Sequence, residues 1–147
     1  MMVLMLAATV WASSAAAKSP PGRYVITNNG ATVEDWATGL TWMRQELCCF
    51  PPNQAEKLAC TDSKLAGGGW RAPTLRELSG ILDRGIGTLV DTEAFAPPNT
   101  AGFKPLLTST VHFVKGKGLV PRGVGMLLAI FVDIAPTELV GVRCVRP

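Results

Sequence analysis

The chain has 147 residues, 48% hydrophobic and 17% charged, with 14 basic side chains against 11 acidic ones. That length suits one domain with a substantial core. A net charge of +3 is too mild an excess to imply nucleic-acid binding, and past the first residues no apolar stretch is long enough to span a bilayer.

Residues 1–17 are apolar and end in Ala15-Ala16-Ala17, which is the pattern of a secretory signal peptide with its small-residue cleavage site. Thr9, Ser13 and Ser14 interrupt the run and weaken a membrane-span reading. Cleavage after Ala17 leaves residues 18–147 as a secreted, periplasmic or cell-surface chain. Four cysteines, Cys48, Cys49, Cys60 and Cys144, predict disulfides in such a compartment, and they allow three pairings.

Residues 18–22 form a short Pro/Gly linker. Residues 23–27 have β character, and Asn28-Asn29-Gly30 is a turn signal. Residues 32–36 and 40–44 read as antiparallel strands around Ala37-Thr38-Gly39. Residues 46–52 read as a loop carrying the cysteine pair and two prolines. Asn53 and Glu56 then resemble a capped helix start with Ala55, Leu58 and Ala59 as its weak apolar face. Cys60 falls on or just past that helix, and Gly67-Gly68-Gly69 ends the segment.

Residues 74–83 carry the strongest helix signal. Thr74 and Glu77 form a capping box after Pro73, and Leu75, Leu78 and Leu82 make one buried stripe. Gly85 suits the position after a helix end. Residues 86–103 are loop-like, with one helical turn over 91–95. Residues 105–114 and 126–134 read as strands, 115–118 as a turn and 138–145 as a final strand. Leu119-Val120-Pro121-Arg122-Gly123 matches a thrombin cleavage sequence by chance. Strands, two helices, then strands make an α+β order without a βαβ rhythm.

An ordered set of motifs resembles the Lcl C-terminal domain family, a bacterial domain named for a collagen-like adhesin. The set comprises the strand–turn–strand from Trp36 to Trp42, Lys57-Leu58-Ala59-Cys60, Gly69-Trp70-Arg71 with Pro73-Thr74 and Glu77-Leu78, and Val142-Arg143-Cys144-Val145-Arg146. It covers nearly all of residues 23–146, so the domain expected is 23–147. The resemblance implies a C-type-lectin-like α+β fold with short antiparallel sheets, two helices and termini close together. It also implies a Cys60–Cys144 disulfide. The chain departs from the family pattern at Ala72, where leucine is usual. It departs again at Leu106-Leu107-Thr108-Ser109-Thr110, where an aromatic residue and Trp-Ser-Ser are usual, and near residues 127–129, where another aromatic is missing.

Cys48-Cys49 is read first as a structural vicinal link, or as a pair of which one bonds Cys60; a redox or metal role is the alternative. Trp36, Trp42 and Trp70 are expected in the core with bonded N–H groups rather than as sugar platforms. Arg71 is expected to hold loop carbonyls or a carboxylate such as Asp83 or Asp91. His112 is the sole histidine, too little for a triad or a zinc site. Neither Glu34/Asp35 nor Asp91/Glu93 marks a glycosidase dyad. Pro97-Pro98-Asn99 and Val132-Asp133-Ile134 lack the carboxylates of a calcium-binding lectin loop. No metal or cofactor is expected.

Between Glu93 and Asp133 there is no acidic residue, while Lys104, Lys115, Lys117 and Arg122 all lie there. If these loops meet, they form a cationic rim suited to sulfated or carboxylated polysaccharide, as the resemblance to an adhesin domain also implies. The alternative is a solvated turn, Lys115-Gly116-Lys117-Gly118. The expectation is an exported, non-enzymatic binding domain for polyanionic glycans or a cell-surface partner. A copper- or thiol-dependent oxidase related to formylglycine-generating enzymes, using Cys48-Cys49, is one alternative. A structural envelope protein is another.

Overall fold

The computed structural model describes residues 19–65, 67–82, 90–96, 104–125 and 130–147. The expectations for residues 1–17, Asp83, Gly85, Pro97-Pro98-Asn99 and residues 126–129 lie outside the described residues. The chain is α+β, with nine strands in two sheets and two short α-helices among the described residues.

In chain order the strands are β1 (Tyr24–Thr27), β2 (Thr32–Asp35), β3 (Leu40–Met43), β4 (Leu47–Phe50), β5 (Leu106–Val114), β6 (Gly118–Gly125), β7 (Ile130–Asp133), β8 (Val140–Val142) and β9 (Val145–Arg146). Helices α1 (Pro52–Glu56) and α2 (Leu75–Ile81) lie between β4 and β5. One sheet runs β1-β2-β3-β9 and the other β4-β8-β5-β6-β7. Neighbours are antiparallel except β5 and β8. The first and last strands are thus opposite edges of one four-stranded sheet.

The turn expected at Asn28-Asn29-Gly30 is present as a single 3-10 turn with all three residues at positive φ. The expected loop over 46–52 is instead strand β4 followed directly by α1. Leu47 and Phe50 pair with Val142 and Val140, with an irregular register between them where the two cysteines sit. Pro51 and Pro52 hid the strand by reading as a breaker, whereas Pro52 opens α1 at a position where its missing N–H costs nothing. Asn53 is therefore no cap. Glu56 reaches away from its own helix and accepts the Ala72 N–H at 3.1 Å. The helix runs on into a π-helical turn over Lys57–Thr61 that buries Ala59 and Cys60. Leu58, expected on the apolar face, is exposed.

Helix α2 forms as expected, with the capping box complete. Thr74 Oγ1 accepts from Glu77 N, and Glu77 Oε2 accepts from Thr74 N at 2.7 Å. Its buried stripe is Leu78 and Ile81. Leu82 leaves the helix and bridges to Val90. Arg71 finds Glu77 rather than Asp91, in a two-pronged ion pair at 2.7 and 2.8 Å. β5 supplies a further acceptor to the helix entrance: Thr110 Oγ1 accepts the Leu75 N–H at 2.9 Å. Ser109 N also donates to Pro73 O at 2.8 Å. The Thr108-Ser109-Thr110 run thus ties the helix entrance to the second sheet.

The single final strand expected over 138–145 is two strands in two sheets. Val140–Val142 joins β4 and β5, and Val145–Arg146 joins β3. Arg71 flanks β9 on its other side, exchanging two backbone hydrogen bonds with Val145 at 3.0 and 2.9 Å. Gly67, Gly68 and Gly69 all have positive φ. At Gly67 any Cβ would collide with the Arg146 guanidinium, which lies 4.9 Å over the Trp70 ring.

Two apolar clusters share the core. One gathers Val33, Trp42, Leu78, Phe95, Leu106 and Val124; the other gathers Met43, Ala59, Leu107, Ile134, Val140 and Val142. Phe95 follows the turn at 91–95, which closes through Phe95 N to Asp91 O at 2.8 Å with Asp91 Oδ1 accepting from Glu93 N and Ala94 N. It meets Tyr24 and Trp42 edge-on, at 5.0 and 6.5 Å between ring centres. The Cys60–Cys144 disulfide is present, with Cα atoms 5.6 Å apart, joining the π-helical turn to the junction of β8 and β9. Cys48 and Cys49 bond to each other, so neither pairs with Cys60.

Three outcomes follow from these contacts. The Cys60–Cys144 bond closes a loop with a sequence separation of 84. Replacing both cysteines by alanine should cost about 4–5 kcal/mol in urea unfolding by loop entropy. The Arg71 hydrogen bonds, helped by Thr74, hold the Glu77 carboxyl down to about 2. A depressed carboxyl stabilises the fold fully above its ordinary value of 4.5 and loses that contribution as pH falls toward 2. Unfolding measured from pH 6 to pH 2 should therefore show an acid loss that Glu77→Gln reduces, Asp35, also held low in the fold, keeping the remainder. Finally, residues 119–123 are held in β6 between β5 and, from Arg122 on, β7. Thrombin should leave the folded chain intact and cut after Arg122 only once it is reduced and unfolded; equal rates on both would contradict this strand.

Candidate functional site

The β5–β6 hairpin was only half legible as a sequence. The turn at 115–118 is where it was expected, closed by Lys117 N to Val114 O at 2.9 Å, with Gly116 and Gly118 at positive φ. Strand β6 was missed because Pro121 and three glycines argue against a strand. Pro121 is tolerated because β7 begins pairing only at Arg122, and past that point the Pro121 carbonyl accepts from Ile134 N at 3.0 Å. Gly123 is required by close packing: a Cβ there would fall 2.5 Å from Leu106 O and 2.7 Å from Ile134 Cδ1.

The register sorts the hairpin into two unlike faces. Phe113 faces Leu119 across the strands and Val111 faces Pro121, so these four share one side. Phe113 is 72% exposed, Leu119 71% and Val111 50%. A hollow of about 450 Å³ adjoins this side, lined by Lys117, Leu119, Val120, Pro121, Asp133, Ile134, Ala135 and Pro136. The other side is polar. Asp133 Oδ1 lies 3.4 Å from His112 Nε2 and 3.7 Å from Arg122 Nε.

The four expected cations therefore do not form one rim. Lys115 and Lys117 stand together at the free end of the hairpin, both exposed. Arg122 lies down the polar face against Asp133. Lys104 precedes the opposite end of β5, about 30 Å away along a nine-residue strand. The gap in acidic residues between Glu93 and Asp133 is real in sequence. Asp133, however, folds back onto Arg122 and removes that cation from the set.

The remaining candidates resolve as follows. Trp42 and Trp70 are core residues, but their indole N–H groups have no partner among the described residues, contrary to expectation. Trp36, expected in the core, is 70% exposed after β2. Asp35 is buried and held by Arg23 through two bonds of 3.0 and 2.9 Å. Asp91 caps its turn, so both of these carboxylates are committed to structure. Cys49 is exposed and Cys48 half-buried on the outer strand of the second sheet. A further groove of about 500 Å³ lies between β3, β4 and the π-helical turn, lined by Met43, Leu47, Leu58 and Leu65 with Arg44 and Lys64 at its edge. Among the described residues, no group of three or more His, Cys, Asp or Glu side chains could hold a metal ion. No helix among them is long and apolar enough to cross a membrane.

The residues that sequence reasoning passed over are Val111, Phe113 and Leu119. Their signal was present as period-two alternation mirrored about the Lys115–Gly118 turn, obscured by treating 119–123 as a chance motif. The two disulfides are compatible with an extracytoplasmic protein. Compared with protein-family models, curated proteins and solved structures, the chain matches none.

Proposed function

We propose that this chain is an exported, non-enzymatic binding domain of C-type-lectin-like type that engages polyanions through the free end of the β5–β6 hairpin. The Cys60–Cys144 bond and the helix entrance at Gly69-Trp70-Arg71 support the lectin-like reading. The single observation behind the binding reading is the pair Lys115 and Lys117, exposed on either side of Gly116 with no ion-pair partner among the described residues. Two ammonium groups two residues apart act within one Debye length, about 8 Å at physiological ionic strength, so an array of anions meets them together. Sulfated or carboxylated polysaccharide and an acidic surface on a partner at the cell envelope share this chemistry. Cys48 and Cys49 are bonded to each other, which favours binding over thiol-dependent oxidation.

A heparin column tests the proposal. The protein should be retained above about 0.15 M salt, and Lys115→Ala with Lys117→Ala should elute below it. Elution at very low salt, unchanged in the double variant, would remove the hairpin end as the binding element. Lys104→Ala serves as a control and should elute with the parent protein.

A further inference from the structure

We propose that the hairpin end docks on the surface of an anionic lipid bilayer, with its apolar face entering the headgroup layer. The inference rests on the polyanion reading and names the polyanion as the lipid headgroups. It adds a second observation that a soluble polysaccharide would leave unexplained: the apolar face directly beneath the two lysines.

Phe113 and Leu119 are directly opposed, with Val111 and Pro121 one pair further from the tip. Three of these four side chains are at least half exposed. An isolated exposed Leu or Phe needs no explanation, but a paired aromatic–aliphatic patch at the end of a projecting hairpin does. It is continuous with the hollow between Leu119, Pro121, Ala135 and Pro136, which Lys117 and Asp133 also line.

The order along the hairpin matches the order of layers in a membrane interface. Lysine heads stay among phosphates while their stems lie along apolar surface, and aromatic and aliphatic side chains sit just inside. The charge is complementary as well. From residue 94 to residue 132 the chain has no carboxylate, and the first one after that, Asp133, lies on the other face beside Arg122 and His112. The tip side, Val111, Phe113, Leu119 and Pro121 with Lys115 and Lys117, therefore offers an anionic leaflet cations and apolar groups, while the hollow beyond it carries Asp133 in its lining and Glu138 accepting from Ala135 N at 3.4 Å. A second copy of the chain would have to bring its own lysines against these, so like charges would oppose pairing.

Sedimentation of the processed chain, residues 18–147, with vesicles distinguishes the sources. The parent protein should bind vesicles of phosphatidylglycerol mixed with phosphatidylcholine and leave pure phosphatidylcholine vesicles largely unbound. Lys115→Ala with Lys117→Ala should weaken partitioning about fivefold per lysine, roughly 30-fold for both. Phe113→Ser with Leu119→Ser should weaken it at least tenfold while leaving heparin retention intact. Because both side chains are exposed, this variant should keep the parent's thermal unfolding, which checks folding.

Failure to bind vesicles with lysine-dependent heparin retention preserved overturns the bilayer and leaves the polysaccharide. Vesicle binding that ignores Phe113→Ser with Leu119→Ser also overturns it, since the attraction is then charge alone. A parent protein that is dimeric in solution, and made monomeric by that variant without binding vesicles, assigns the face to a second copy. Loss of both vesicle and heparin binding removes the polyanion reading too.

Discussion

A buried guanidinium holds the two sheets in register. Arg143 is 1% exposed and sits between β8 and β9, where the chain leaves one sheet for the other. It donates to the carbonyls of Met43, Arg44 and Ala96 and lies 5.2 Å over the Phe95 ring. Burial pulls its pKa down to about 10, opposed by the nearby charge of Glu46, whose own carboxyl burial pushes up. Burying a charge is expensive unless its donors are satisfied. Here three carbonyls and an aromatic face meet its two terminal nitrogens, with Nε left unpaired among the described residues, and they come from two separate stretches, Met43-Arg44 and Phe95-Ala96, that must therefore be in place.

Much else follows from that crossing. Met43 ends β3 and Arg44 follows it, Ala96 follows the turn that delivers Phe95, and Cys144 is the next residue after Arg143. Cys144 O accepts from Met43 N at 2.9 Å while its sulfur reaches the π-helical turn. Beyond it Val145 is flanked by β3 on one side and Arg71 on the other, which fixes the strand leading to α2. The glycine run at 67–69 lets the chain approach Arg146 closely enough for this pairing. The first half of the molecule and its last residues are therefore one locked unit, and the hairpin of β5 and β6 extends from it.

What was legible in the sequence follows from how local each interaction is. The capping box at Thr74 and Glu77 involves residues three apart and could be read directly. The partner of Arg71 was six residues away and still missed, because more distant carboxylates competed for it. Strand β4 was masked by the prolines after it, and β6 by the proline and glycines within it. The split of the last strand leaves no mark on an apolar run, since Val140, Val142 and Val145 are equally buried whichever sheet holds them. The cationic rim failed for a related reason. Closeness in sequence is not closeness in space when a nine-residue strand separates Lys104 from Lys115 and an ion pair takes up Arg122.

The parallel contact between β5 and β8 has a mechanical consequence. Tension applied at the tip of the hairpin runs down β5 and passes into β8 at Leu106 and Gly141, where Gly141 N donates to Pro105 O at 3.0 Å. The two strands pair there at one position, Leu106 with Gly141, so the load crosses a short connection rather than a long ladder. Three residues further along, the path reaches Cys144 and the covalent bond to Cys60. That bond stands between β8 and β9, so a displacement of β8 in the second sheet meets a covalent anchor before it reaches β9 in the first.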